Sequence, residues 1–224
     1  MQIKICGLTR EAEAQYLNEA GADYAGFVFY EKSKRNVTQE QARAVMERLD
    51  KRIKRVAVTV SPDMELAAQI EKNGFDILQV HGTLSRKVLE QTNLPVWYAF
   101  HIAREEDLIG QQLFLKELPK EQQGKIQGIV VDGAKSGSGI PFDWQLLKGL
   151  CEDPRFSDVF GGRKRILAGG IGSDNVQRAM AMLSPDVIDV SSKVEGENGK
   201  NEQKVLEITR MVKNIREDIR SGSL

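Results

Sequence analysis

Cysteine and histidine are nearly absent. In 224 residues there are two of each, Cys6, Cys151, His81 and His101. With no CxxC and no metal-ligand spacing among them, a disulfide framework and a zinc site are both excluded, and free thiols fit a reducing compartment. No apolar run approaches the ~20 residues needed to cross a bilayer. The opening MQIKICGLTR has neither an apolar signal core nor an Arg/Ser-rich transit pattern, so a cytoplasmic protein with no membrane partner is expected. Net charge is absent too, because 32 basic residues balance 32 acidic ones. That removes the long-range attraction on which nucleic-acid binders rely, so an anionic ligand must be held by local geometry. What remains, 41% hydrophobic and 29% charged with 6% aromatic, is an ordinary globular composition.

The chain alternates short apolar runs with helical stripes. QIKIC is the first strand, and Ala12, Tyr16, Leu17 and Ala20 share one face of the helix behind it. The pattern repeats with strands at 24–29, 54–60, 76–80 and 95–102, followed by helices near 38–49, 63–73, 84–92 and 105–117. Strands at 126–132 and 163–170, a helix near 173–183, a strand at 186–190 and a last helix near 201–219 complete the series. The last helix carries Val205, Ile208, Val212, Ile215 and Ile219 on one stripe. Near-continuous apolar strands mean burial on both faces and a parallel sheet. Eight such units fit a closed (β/α)8 TIM barrel better than an open doubly wound sheet. The expected fold is therefore α/β, one domain over 1–224, with 220–224 a disordered tail. GADYAGFVF, GFDILQV and SPDVIDV each set an aspartate between a turn and a strand, and Asp23, Asp76 and Asp186 are read as structural αβ turns. Neither GSGIPF nor GIGSDN completes a dinucleotide fingerprint, so a nicotinamide cofactor is unsupported.

In a barrel, the C-terminal ends of the strands converge on the catalytic face. Cys6 ends the first strand and Asp132 ends the run GIVV. A thiol there is a candidate base or simply a buried small hydrophobe; a carboxylate leaving apolar surroundings is a candidate proton donor or a loop cap. Gly169-Gly170 and Ser191-Ser192 follow strands seven and eight, where barrels hold phosphate on bare backbone NH groups; tight-turn chemistry is the competing reading. Arg35 clamps a carboxylate with its forked donors or lies on the surface beside Lys32 and Lys34, and Gln79 and His81 line the mouth or pack beneath it. The loop around Gly133, Gly137, Ser138 and Gly139 has the composition of a lid or of a plain connection.

Taken together, KICGLTR, GFVFYEKSKRNV, LQVHG, the VVDG and SGSGIPFDW block, LAGGI followed by NV, and DVSSKVEG resemble the phosphoribosylanthranilate isomerase family of tryptophan biosynthesis over essentially the whole chain. The resemblance implies an Amadori rearrangement with Cys6 as general base and Asp132 as general acid. Arg35 would meet the anthranilate carboxylate, and the loops at Gly169-Gly170 and Ser191-Ser192 the phosphate of a small phosphorylated substrate. No metal or organic cofactor is implied; the protein would act as a monomer or homodimer. The sequence departs from the family pattern at Lys193, where glycine is usual; a lysine there adds charge to the phosphate or hinders the loop. The competing readings are the related barrel isomerase of histidine biosynthesis, whose internal half-barrel symmetry is not found here, and a phosphate-ligand binding protein without catalysis.

Overall fold

A computed structural model describes residues 1–102, 104–132 and 144–221, the last seven of these by backbone alone. The first half runs β1 (Gln2–Cys6), α1 (Ala12–Ala20), β2 (Tyr24–Phe29), α2 (Gln39–Met46), β3 (Lys54–Val60), α3 (Met64–Lys72), β4 (Ile77–His81) and α4 (Arg86–Gln91). It continues with β5 (Val96–His101), α5 (Glu105–Glu117), α6 (Lys120–Lys125), β6 (Ile126–Asp132), α7 (Trp144–Glu152), α8 (Ser157–Phe160), β7 (Lys164–Leu167), α9 (Val176–Leu183) and β8 (Val187–Val190). A small hairpin, β9 (Glu195–Gly196) and β10 (Gly199–Lys200), precedes α10 (Glu202–Ser221). Among the described residues, β1 to β8 form a closed parallel barrel in chain order, and β8 returns to β1 in the register Gln2↔Val187 to Ile5↔Val190.

Because every strand is buried on both faces, the apolar side chains divide into two shells. Phe27, Leu78, Phe100, Ile129 and their neighbours face the helices, while Cys6, Tyr24, Val56, Val58, Ile77, Trp97, Ala99, Val130, Ile166, Ala168 and Val187 fill the barrel interior. Trp97 packs edge-on against Tyr24, with centroids 4.9 Å apart. Its indole occupies space that a side chain on β6 would need, since a Cβ on Gly128 would stand 2.6 Å from Trp97 Cδ1. One large aromatic and one missing side chain thus close the interior together.

The three αβ aspartates have the structural role expected of them. Asp23 accepts from the backbone N–H of Ile3 (2.9 Å), Asp76 from Arg55 (2.8 Å) and Asp186 from Arg165 (2.8 Å). Each carboxylate reaches back from the start of one strand to the strand before it, at the end of the barrel away from Cys6 and Asp132.

The structure differs from the sequence expectation chiefly in five places, the first being α2, which stops at Met46, three residues short of the expected end. Strand seven ends at Leu167 and not at Gly170, because Gly169 and Gly170 take positive φ (91° and 69°), which a strand ladder does not accommodate. The helix after it begins at Val176, three residues later than expected. Between β5 and β7, α6, α7 and α8 appear where no helix was expected, and the last helix runs through Ser221, into the expected tail. Val205, Ile208 and Val212 on its stripe are fully buried; the side chains of Ile215 and Ile219, and residues 222–224, lie outside the described residues.

Candidate active site

The C-terminal mouth of the barrel opens into a cavity of about 640 Å³. Cys6, Arg35, Gln79, His81, Asp132, Gly169, Gly170, Ser191 and Ser192 all line it, so the candidates picked from separate strands converge on one space. Gly133, Gly137, Ser138 and Gly139 lie outside the described residues. No group of three or more His, Cys, Asp or Glu among the described residues could hold a metal ion.

Cys6 and Asp132 end strands β1 and β6, and both are buried, at 8% and 6% exposure, while still lining the cavity. Burial pushes the Cys6 thiol above its ordinary value; Lys4 acts against that rise, Asp189 adds to it, and Lys200 opposes it. Lys4 lies two residues before Cys6 and therefore on the same inward face of β1. Its ammonium, with no solvent exposure, meets Asp189 Oδ2 of β8 at 2.7 Å. Burial works to lower that ammonium, but Asp189 and Cys6 outweigh it and hold it above the ordinary lysine value. Asp189 lines the cavity, and its Oδ1 is buried with no partner.

Two loops form the wall opposite the barrel floor. After β7, Asn175 ties its own loop shut: its amide donates to the Gly170 carbonyl (2.9 Å) while its side-chain oxygen accepts from the Gly172 N–H (2.9 Å). The positive φ of Gly169 and Gly170 then follows from the turn so enforced. After β8, the Ser191 hydroxyl donates to the Cys6 carbonyl (3.1 Å), which pins the second loop to the strand that carries the thiol. Lys193 spans the two loops, its Nζ 3.2 Å from Asp174 Oδ2. Its stem fits because Gly172 has no side chain: a Cβ there would stand 2.9 Å from Lys193 Cβ.

Arg35 is mostly buried, not a surface residue. Its Nε donates to Glu195 Oε1, and Glu195 also receives Lys34 (3.0 Å) and Lys200 (3.2 Å). Burial alone would raise the Glu195 carboxyl; the Arg35 hydrogen bond, with Lys200 and Lys34, reverses this and brings it to about 2. With Nε anchored, Arg35 keeps Nη2 buried and unpartnered at the cavity wall. On the other side, the Gln79 amide lies 2.9 Å from His81 Nε2, and His81 Nδ1 lies 3.4 Å from His101 Nε2. Burial, with His101 and Lys4 nearby, lowers His81 to about 3. The ring is therefore neutral at physiological pH, accepting from Gln79 and donating toward His101.

These two shifts have the same consequence for stability. Between pH ~6.5 and 3 the unfolded chain protonates the His81 imidazole and the native protein does not; between pH ~4.5 and 2 the same holds for the Glu195 carboxylate. The unfolded state binds more protons in both windows, so stability falls as pH falls. Urea unfolding is expected to show a loss of about 1–2 kcal/mol from pH 7 to pH 4.5, with solvent at the cavity rim moderating the effect. His81→Gln should flatten that dependence above pH 4.5. An equally steep slope in the variant would contradict this assignment.

Four members of the site were not picked out from sequence: Lys4, Asp189, Glu195 and Lys200. For the first two a signal existed. QIKIC and DVIDV each carry a charge inside an apolar run, of opposite sign on the strands that close the barrel. For Glu195 and Lys200, in the polar VEGENGK, no pattern separates them from a solvated turn.

A barrel mouth that gathers a thiol, a carboxylate and the two loops after β7 and β8 in one cavity defines a (β/α)8-barrel enzyme of small-molecule metabolism. The profile of N-(5'-phosphoribosyl)anthranilate (PRA) isomerase matches residues 3–213, and the chain belongs to that family. It is 36% identical over 222 residues to the N-(5'-phosphoribosyl)anthranilate isomerase of Thermoanaerobacter pseudethanolicus, covering 96% of this chain and all of that protein. To the isomerase of Streptococcus pneumoniae it is 37% identical over 215 residues, covering 95% and 96%. Among solved structures, phosphoribosyl anthranilate isomerase from Thermotoga maritima superposes with a TM-score of 0.79 at 29% identity, covering 96% of this chain and 99% of that one. A phosphoribosyl anthranilate isomerase in complex with reduced 1-(o-carboxyphenylamino)-1-deoxyribulose 5-phosphate superposes at 0.76, with 28% identity and the same coverage. The chain is thus an isomerase of tryptophan biosynthesis that converts an aminoaldose to an aminoketose.

Proposed function

We propose that the cavity binds N-(5'-phosphoribosyl)anthranilate and carries out its Amadori rearrangement with Asp132 as general acid and Cys6 as general base. The observation that carries the reading is that both side chains line the same cavity as the two loops at Gly169-Gly170 and Ser191-Ser192. Asp132 gives its proton to the ribose ring oxygen. The C1–O bond breaks as the nitrogen lone pair forms the protonated Schiff base. Cys6, as thiolate, takes the proton from C2, and the electrons of that bond move to C1–C2 and neutralise the iminium nitrogen. The resulting enolamine tautomerises to 1-(2-carboxyphenylamino)-1-deoxyribulose 5-phosphate. The solved complex of a relative with the reduced product is consistent with this choice of ligand.

In this reading the phosphate lies between the backbone NH groups of the two loops, where the absence of side chains at Gly169 and Gly170 lets it approach closely. Gln79 and His81 line the sugar side. Arg35 meets the anthranilate carboxylate through Nη2, held at the right angle by Glu195. The reading takes the chain as one domain that works in the cytoplasm on a small molecule, as a monomer or homodimer, without nucleic acid, membrane, metal or organic cofactor. No helix among the described residues is long and apolar enough to cross a membrane.

Conversion of phosphoribosylanthranilate by the purified protein tests the assignment of the cavity, and Arg35→Met tests its orientation. Loss of a charge-assisted hydrogen bond weighs about 1.5–3 kcal/mol, so KM should rise roughly ten- to a hundredfold with a smaller change in kcat. An unchanged KM would place the carboxylate elsewhere.

A further inference from the structure

We propose that Lys4 is a positioning residue for Cys6: its ammonium, held in place by Asp189, is the fixed positive charge that lets the buried thiol act as an anion. This rests on the reading of Cys6 as the base. Three features of the geometry carry it. Lys4 and Cys6 share the inward face of β1, and the register sets Lys4 beside Asp189 of β8. The pair is buried and close, at 2.7 Å, so the ammonium cannot swing out to solvent. Opposite it on β2 stands Gly26, and a Cβ there would stand 3.0 Å from Cys6 Sγ and 3.1 Å from Lys4 Cε. The missing side chain is what leaves room for the lysine stem and the sulfur to meet at one point.

The chemistry needs such a charge. A thiolate in an apolar barrel is strongly disfavoured, and burial is indeed the largest influence on Cys6. The charged groups that bear on the sulfur are Lys4 on its own strand, Asp189 on β8 and Lys200 on β10. From β2 the inward residues beside it are Gly26 and Val28, which do not titrate, with Tyr24 deeper in the barrel. Lys200 is already engaged by Glu195 and the Ser191 carbonyl. Asp189 works against ionisation. Lys4 is the cation with the largest effect on the sulfur, and it outweighs Asp189.

The test compares wild type with Lys4→Met and with the double variant Lys4→Met/Asp189→Asn, in which two neutral side chains replace the buried pair. Ionisation of Cys6 is read from the pH dependence of iodoacetamide modification, followed by mass spectrometry on the Cys6 peptide so that Cys151 does not contribute. The alkaline limb of kcat/KM on phosphoribosylanthranilate, which the thiol sets because a thiol ionises above a carboxylic acid, is read alongside. In Lys4→Met both are expected to move alkaline by about one pH unit or more, leaving roughly tenfold less thiolate at neutral pH. The double variant should fall between wild type and the single variant, since it loses an attraction and a smaller repulsion. If Lys4→Met does not fold, the double variant alone decides, again by an alkaline shift. A modification profile unmoved from wild type in either folded variant overturns the proposal, as does a loss of turnover equal at every pH with the profile in place, which is what a purely structural lysine would give. A shifted modification profile with an unshifted alkaline limb of turnover upholds the effect of Lys4 on the thiol and overturns the reading of Cys6 as the base.

Discussion

Asn in place of Asp132 is expected to lower kcat by about 10²- to 10⁴-fold, the range that a positioned general acid contributes, with little change in KM. The substitution keeps the shape and the hydrogen-bonding capacity of the side chain but removes its transferable proton. Ring opening then leaves an alkoxide-like oxygen unprotonated, since the carboxylates Asp189 and Glu195 are held as anions by Lys4 and by three cations. Asp132 sits beside His101 in the β5–β6 register, at the last position of its strand, and Asn keeps its size there. The thermal midpoint should accordingly stay close to wild type. Turnover within tenfold of wild type would remove Asp132 from the chemistry and return it to a structural cap.

Cys6→Ala should show a loss of similar size, and Cys6→Ser decides what it means. Alanine deletes the base and leaves a small void beside Lys4. Serine fills that space, but a hydroxyl gives up its proton far less readily than a thiol, so it too should be nearly inactive. If serine restored most of the activity, the sulfur would be serving as packing, and the base would have to be sought among other groups at the mouth. Single-turnover measurements on both variants separate loss of chemistry from loss of binding, because the proposed phosphate loops and Arg35 are untouched and KM should remain near wild type.

The barrel was legible because strands buried on both sides read as continuous apolar runs. Seven of the eight strands begin and end within one residue of where those runs begin and stop, strand seven being the exception. Failures came where local sequence carries no such contrast. KEQQGK has no apolar stripe, so α6 was invisible; its place is fixed by packing against α4 and β6. Trp144, Leu147 and Leu150 in α7 do share a buried face, but the glycine-rich stretch before them hid the helix start. The C-terminal end of strand seven was misjudged because LAGG reads as apolar continuation, while the turn is dictated by Asn175, five residues beyond Gly170. For the site, residues at strand ends were legible and residues that support them were not. Lys4 and Asp189 acquire meaning only when the first and last strands are known to be neighbours, and Arg35 becomes a buried group only when Glu195 arrives from a hairpin late in the chain.

The seam between β1 and β8 has a consequence for how activity arises during folding. The aspartate ties close short stretches of chain, 20 or 21 residues each, so most strand pairs form from local segments at modest entropic expense. Lys4–Asp189 and Ser191–Cys6 join residues 185 positions apart. An intermediate with seven strands in place would have nearly all of its secondary structure, but a Lys4 without Asp189 to hold it and a Cys6 without Lys200 or its loop. Recovery of thiol reactivity during refolding therefore reports barrel closure itself, and should lag behind any spectroscopic signal of helix or sheet.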